Sequence, residues 1–137
     1  MNKPANVLAG VREGASLGPL EITVSAAANE RYWQAAGVVH PALEGGALYP
    51  PIAANLTVLL FQQSCPHAMI QTRQLLRCHR IEPAGTPLVV TGRVTRRYEK
   101  REREYVDIEA VVCTTARPEE PIWTSIVSFT PAAELSS

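Results

Sequence analysis

Pro50 and Pro51 open a run, 52–64, that is apolar on nearly every side and is closed by Pro66. Proline costs little at a helix start, because the first amides there have no intrahelical acceptor. The spacing therefore predicts a helix over 52–64. Ile52, Ala53, Leu56, Leu59, Leu60 and Phe61 surround most of it, so the helix should be buried. The chain that follows supplies the layer to bury it. An alternating stretch over 70–81 precedes a turn at Pro83, Ala84 and Gly85, and a strand follows over 88–98. A charged tip at 100–103 leads to a return strand over 105–115, and a turn over 118–121 leads to a last strand over 122–129. Four consecutive strands at hairpin spacing imply an antiparallel sheet with the helix on one face, an α+β fold class.

Ahead of the helix, a short strand is expected over 20–24. Ser25 is placed to N-cap a helix over 26–36, with Tyr32 and Trp33 as its aromatic flank and Gly37 as its end. Residues 38–51 are rich in proline and glycine without periodicity and read as a long loop, a kind often functional in compact domains. The first sixteen residues also lack periodicity and read as a mobile arm or a short edge strand. The division expected is an arm at 1–17, one domain at 18–131 and a tail at 132–137, because 137 residues suit a single domain.

Charge excludes some functions. Thirteen basic and thirteen acidic residues cancel, so no net field draws the chain to nucleic acid or anionic lipid. No apolar run is long enough to span a bilayer. Cys65, Cys78 and Cys113 are odd in number, without metal-ligand spacing or a histidine-activated setting, and read as free buried thiols. With no secretory pattern at the N-terminus, a cytoplasmic protein without metal is expected. Arg93, Arg96, Arg97, Lys100, Arg101 and Arg103 alternate with Glu99, Glu102 and Glu104. They read as a solvated edge that resists aggregation, or as contacts to the phosphates of a CoA or carrier-protein arm. No aromatic platform is expected among them, a further reason to set nucleic acid aside.

Four places together resemble the MaoC-like acyl-thioester hydratases and dehydratases. These are the opening helix leading into Gly37, Leu48-Tyr49-Pro50-Pro51 before the apolar helix, the turn Pro83-Ala84-Gly85-Thr86-Pro87-Leu88 between two long strands, and the order of the elements. The resemblance covers about 20–131. It implies a hot-dog fold, a curled antiparallel sheet wrapped around one central helix, and a dimer with the thioester at the seam. The ligand implied is an acyl-CoA or acyl-carrier thioester, with no separate cofactor.

Active members of that family carry Gly-Asp-x-Asn-Pro-x-His after the first helix. Here the stretch is Gly37-Val38-Val39-His40-Pro41-Ala42-Leu43, with Val38 at the acid's place and Leu43 at the imidazole's. Hydration of an enoyl thioester needs a base for water and a proton for the α-carbon, a contribution of about 10²–10⁴ in rate. Valine and leucine supply neither. The family's oxyanion hole comes from backbone amides at the start of the central helix, here at Ile52 and Ala53, worth about 10²–10³. The resemblance thus implies a subunit that holds an acyl thioester while a catalytically complete hot-dog partner carries the chemistry.

An active hydratase using His40 with Glu44, four residues on, is the alternative; against it, His40 would simply cap a helical turn. A thioesterase in which Glu44 activates water is a further reading. Tyr49, Pro51, Ile52, Ala53 and Asn55 are the expected substrate-binding residues. Tyr49 would line the thioester mouth or pack in the loop, and Asn55 would satisfy backbone or face the acyl chain.

Overall fold

The computed structural model describes residues 8–132. Five antiparallel strands form one sheet: β1 (Ser16–Thr23), β2 (Met69–Cys78), β3 (Pro87–Lys100), β4 (Arg103–Thr114) and β5 (Arg117–Pro131), in spatial order β1-β3-β4-β5-β2. Helices α1 (Ala26–Ala35), α2 (Pro41–Glu44) and α3 (Ile52–Gln62) lie between β1 and β2 in sequence. The architecture is the expected one, a curled sheet around a central helix.

Alternation in the strands explains why α3 sits where it does. Leu88, Val90 and Val94 of β3, Val106, Ile108, Ala110 and Val112 of β4, and Val127 and Phe129 of β5 are all buried. They form one core with Ile52, Ala53, Leu56, Leu60 and Phe61 of α3. Phe61 stacks on Phe129 with ring centroids 6.2 Å apart. Thr57 enters this core because its hydroxyl donates to the Ala53 carbonyl at 2.8 Å. The β3 alternation is broken at Gly92, where a Cβ would stand 2.9 Å from Leu60 Cδ2 and 2.7 Å from the Glu109 carbonyl oxygen. Gly18 similarly leaves room for Leu60 Cδ1. Two glycines thus let the helix approach the sheet closely.

Several expectations need correction. The last strand begins at Arg117 rather than 122, the turn being the two residues 115–116. Pro118 and Pro121 continue as extended chain, and the register slips at Cys113 and Thr114, where proline has no amide to offer the ladder. The first strand begins at Ser16, four residues early, and is an edge strand on β3. Helix α3 ends at Gln62 and is not buried all round, since Asn55 is exposed and Leu59 is 43% exposed. The long loop contains the single turn α2. The alternating stretch leaves the ladder after Cys78, and the amides of His79 and Arg80 both reach the Ile122 carbonyl.

Residues 8–15 of the expected arm are held against the sheet. Leu8 is in the core, and Gly14 N–H donates to the Val94 carbonyl at 2.7 Å. Arg97 ties the segment down, its guanidinium donating to the Val11 carbonyl and its amide to Glu13 Oε1. Residues 1–7 of that arm and 133–137 of the tail lie outside the described residues. Among the described residues no helix is long and apolar enough to cross a membrane. The three cysteines form no disulfide; Cys65 and Cys113 are buried, but Cys78 is exposed.

Candidate functional site

The stretch from the end of α1 into the first turn of α3 carries the expected catalytic and thioester-binding residues, and local hydrogen bonds determine its shape. Ser25 caps α1 as expected, its hydroxyl accepting from Ala28 N–H at 3.1 Å. Gly37 ends the helix with φ +71°, and Val38 N–H returns to the Trp33 carbonyl. His40 then caps α2: its Nδ1 accepts from Ala42 N–H at 3.0 Å, with Pro41 in the first helical position. An accepting Nδ1 leaves the neutral ring's proton on Nε2. The backbone joins His40 and Glu44 through Glu44 N–H to His40 O at 3.1 Å, and no hydrogen bond links their side chains.

Glu44 points elsewhere. With Leu43 it lines a cleft of about 340 Å³, together with Asn29, Glu30, Trp33 and Gly46. His40 is not among the lining residues, so the cleft gathers the carboxylates of Glu30 and Glu44 without an imidazole. Leu43, at the place of the family's histidine, is 8% exposed and packs inward, and Val38 is half-buried. Among the described residues no group of histidine, cysteine and carboxylate side chains is arranged to hold a metal ion.

The start of α3 departs from an open amide cradle. Ile52 N–H donates to the Tyr49 carbonyl at 3.0 Å, Ala53 N–H to Pro50 at 2.9 Å and Ala54 N–H to Pro51 at 3.2 Å. A tight 3₁₀-type turn therefore takes up the amides that a helix start would otherwise leave free. Ile52 and Ala53 are buried, while Pro51 beside them is exposed. Tyr49 is half-buried and packs against the core, which fits the packing alternative more closely than an open mouth. Asn55 does not bond to backbone, the first of the two roles expected of it. Its Nδ2 donates to the Tyr32 hydroxyl at 2.8 Å, a surface link between α3 and α1.

Sequence reasoning missed Asn29. This α1 residue is 2% exposed; its Nδ2 donates to the Ala47 carbonyl and its Oδ1 accepts from Tyr49 N–H, both at 2.8 Å. It fastens the chain entering α3 onto α1. Beyond Ala47, Leu48 N–H donates to the Glu82 carbonyl, and Ala47 bridges to Pro83 at the turn before β3. One amide side chain in a run of alanines was the available signal, and a solvated asparagine would have looked the same.

No family model matches the sequence, and no curated protein is similar to it. Solved structures do resemble the fold. The HadBC (3R-hydroxyacyl-ACP dehydratase) complex of Mycobacterium tuberculosis includes a chain that superposes with TM-score 0.71 at 14% identity, over 86% of this chain and 96% of that one. A chain of the ChsH1–ChsH2 complex of the same organism gives TM-score 0.66 at 13% identity, over 88% and 98%. The MaoC-like dehydratase of Rhodospirillum rubrum gives 0.64 at 18% identity, over 90% and 94%. Strand order, central helix and these superpositions agree: the chain is a hot-dog protein with the fold of the MaoC-like dehydratases.

Proposed function

We propose that the protein is an acyl-thioester-binding hot-dog subunit that depends on a catalytically complete partner for hydration or dehydration of the thioester. The observation that carries this reading is the aliphatic pair at the motif: Val38 half-buried and Leu43 packed inward where an acid and an imidazole would be needed. His40 cannot replace the missing base without giving up its cap on Ala42. The engaged amides of Ile52, Ala53 and Ala54 speak against an oxyanion hole at this helix start, so the thioester would be held by other contacts. Two of the similar structures, HadBC and ChsH1–ChsH2, are complexes of differently named subunits, which supports the partner-dependent part. On α3, Leu59 is an exposed leucine available to an acyl chain or to a second subunit.

The test uses the purified full chain and crotonyl-CoA. Binding without turnover is expected, read as a rise in melting temperature beyond that given by free CoA at unchanged enoyl absorbance, because a ligand bound only by the native state stabilises it. Absorbance loss abolished by His40→Ala would replace this reading with the active hydratase. Thiol release would instead favour water activated by Glu44 in its cleft, the second reading that the lining of that cleft supports.

A further inference from the structure

The outer face of the β3–β4 hairpin holds a second feature, unrelated to the α1–α3 segment. Register places Tyr98 of β3 opposite Tyr105 of β4, and their rings stack with centroids 5.3 Å apart and planes 10° from parallel. The platform is fixed from beneath: Asp107 Oδ1 accepts from the Tyr98 hydroxyl at 3.1 Å and from Ser128 Oγ at 2.7 Å. The Arg96 guanidinium carbon lies 4.1 Å from the Tyr98 ring centroid. Sequence reasoning expected no aromatic platform among these basic residues, and the hairpin pairing supplies one.

A groove of about 540 Å³ runs along this platform, lined by Arg73, Arg96, Lys100 and Arg101 with both tyrosines, and with Glu99 as its carboxylate. Ion pairs elsewhere engage Arg80, Arg93, Arg97 and Arg117. Among the described residues, none of the four groove cations has a carboxylate within ion-pair distance. In a chain of formal net charge +0, four cations around one concave aromatic site, against Glu99 in the lining and Asp107 beneath the platform, leave a local excess of positive charge. The groove volume suits one small ligand.

We infer that this groove binds a nucleoside phosphate, its phosphates held by Arg73, Arg96, Lys100 and Arg101 and its base stacked on the Tyr98–Tyr105 pair. Planar base and multiple negative charge are the two properties that this surface complements together. The groove lies apart from the α1–α3 segment, and the adenine nucleotide of CoA is one source of the chemistry it would recognise. The segment leading into α3 is bonded to the turn before β3, whereas the groove lies at the far end of that strand, about 30 Å along it.

Calorimetric titration of the full chain with ADP, pyrophosphate, adenosine and a single-stranded octanucleotide tests the inference. ADP should bind in a salt-sensitive manner, with pyrophosphate weaker by about tenfold for want of a stacking base and adenosine weaker still. The double variant Arg73→Gln/Arg96→Gln should weaken ADP by at least about tenfold, since both substitutions remove charge from exposed positions. Tyr105→Leu should weaken ADP without moving pyrophosphate, and Tyr105→Phe should retain ADP. The ratio of ADP to pyrophosphate affinity in the unaltered chain tests the stacking even where the Tyr105→Leu chain does not fold. Absence of ADP binding at millimolar concentration, or binding untouched by the double variant, would overturn the site. An octanucleotide bound more tightly than ADP would also overturn it, in favour of a polynucleotide surface.

Discussion

His40 Nδ1 accepts the backbone amide of Ala42 at 3.0 Å, so the one imidazole in the motif segment serves as a helix cap. Loss of such a cap costs about 0.5–1 kcal/mol on an exposed turn. His40→Ala should lower unfolding free energy by about that amount in urea titration, and His40→Asn, a better capping residue, should restore it. Recovery with asparagine separates the capping role from any need for an ionisable ring.

Asn29 carries more of the local stability than His40, because it is buried and holds two backbone groups. Asn29→Ala strands the Tyr49 amide and the Ala47 carbonyl, at a cost of about 2–3 kcal/mol. A melting-temperature drop of about 8–15 °C should follow for a domain of this size. Faster amide exchange at Tyr49, with the β4 core amides least affected, would locate the loss in the chain entering α3.

Gly92 marks a close approach of α3 to the sheet. Gly92→Ala places a methyl group against both Leu60 and the Glu109 carbonyl and should destabilise by about 1–3 kcal/mol. Pairing it with Leu60→Ala should return part of that loss, a coupling that denaturant midpoints of the double-mutant cycle would read.

Burial raises the thiol pKa of Cys65 and Cys113 above the ordinary 9.0, and local desolvation of the sulfur does so at otherwise exposed Cys78, partly offset at Cys65 by a backbone hydrogen bond from His67 and at Cys113 by the Arg80 charge. A folded pKa above the unfolded one means that the unfolded chain gives up its proton first as pH rises. The stability held by the protonated thiols is complete below about pH 9 and is lost as pH climbs through the folded values. Tyr98, raised mainly by burial, acts in the same direction at higher pH. Denaturant midpoints should be flat from pH 7 to about 8.5 and fall above 9. Alkylation at pH 8 should modify exposed Cys78 ahead of buried Cys65 and Cys113.

How much of this was legible follows from which forces are local. Pro50-Pro51 with the apolar run of α3, the Ser25 cap, the Gly37 stop and the hairpin spacing of β3 and β4 are local patterns, and each led to the element observed. Pro118 and Pro121 misled because proline marks turns and extended chain alike, and only the register with β4 decides between them. The engaged amides of Ile52 and Ala53 depend on the exact path through Tyr49 to Pro51, which composition does not specify. Asn29 and the Tyr98–Tyr105 platform depend on partners brought together by folding, so residues that look solvated in the chain become a clamp and a stacked pair.

The account centres on a thioester-binding fold without its own proton-transfer pair, and crotonyl-CoA hydration by the isolated chain tests it most directly. Enoyl absorbance followed at enzyme-level concentration, beside thermal melts with crotonyl-CoA and with free CoA, should show a melting temperature raised further by the thioester than by free CoA and no absorbance loss. Turnover that disappears in His40→Ala while the fold survives, or a melting temperature indifferent to the thioester, would contradict it.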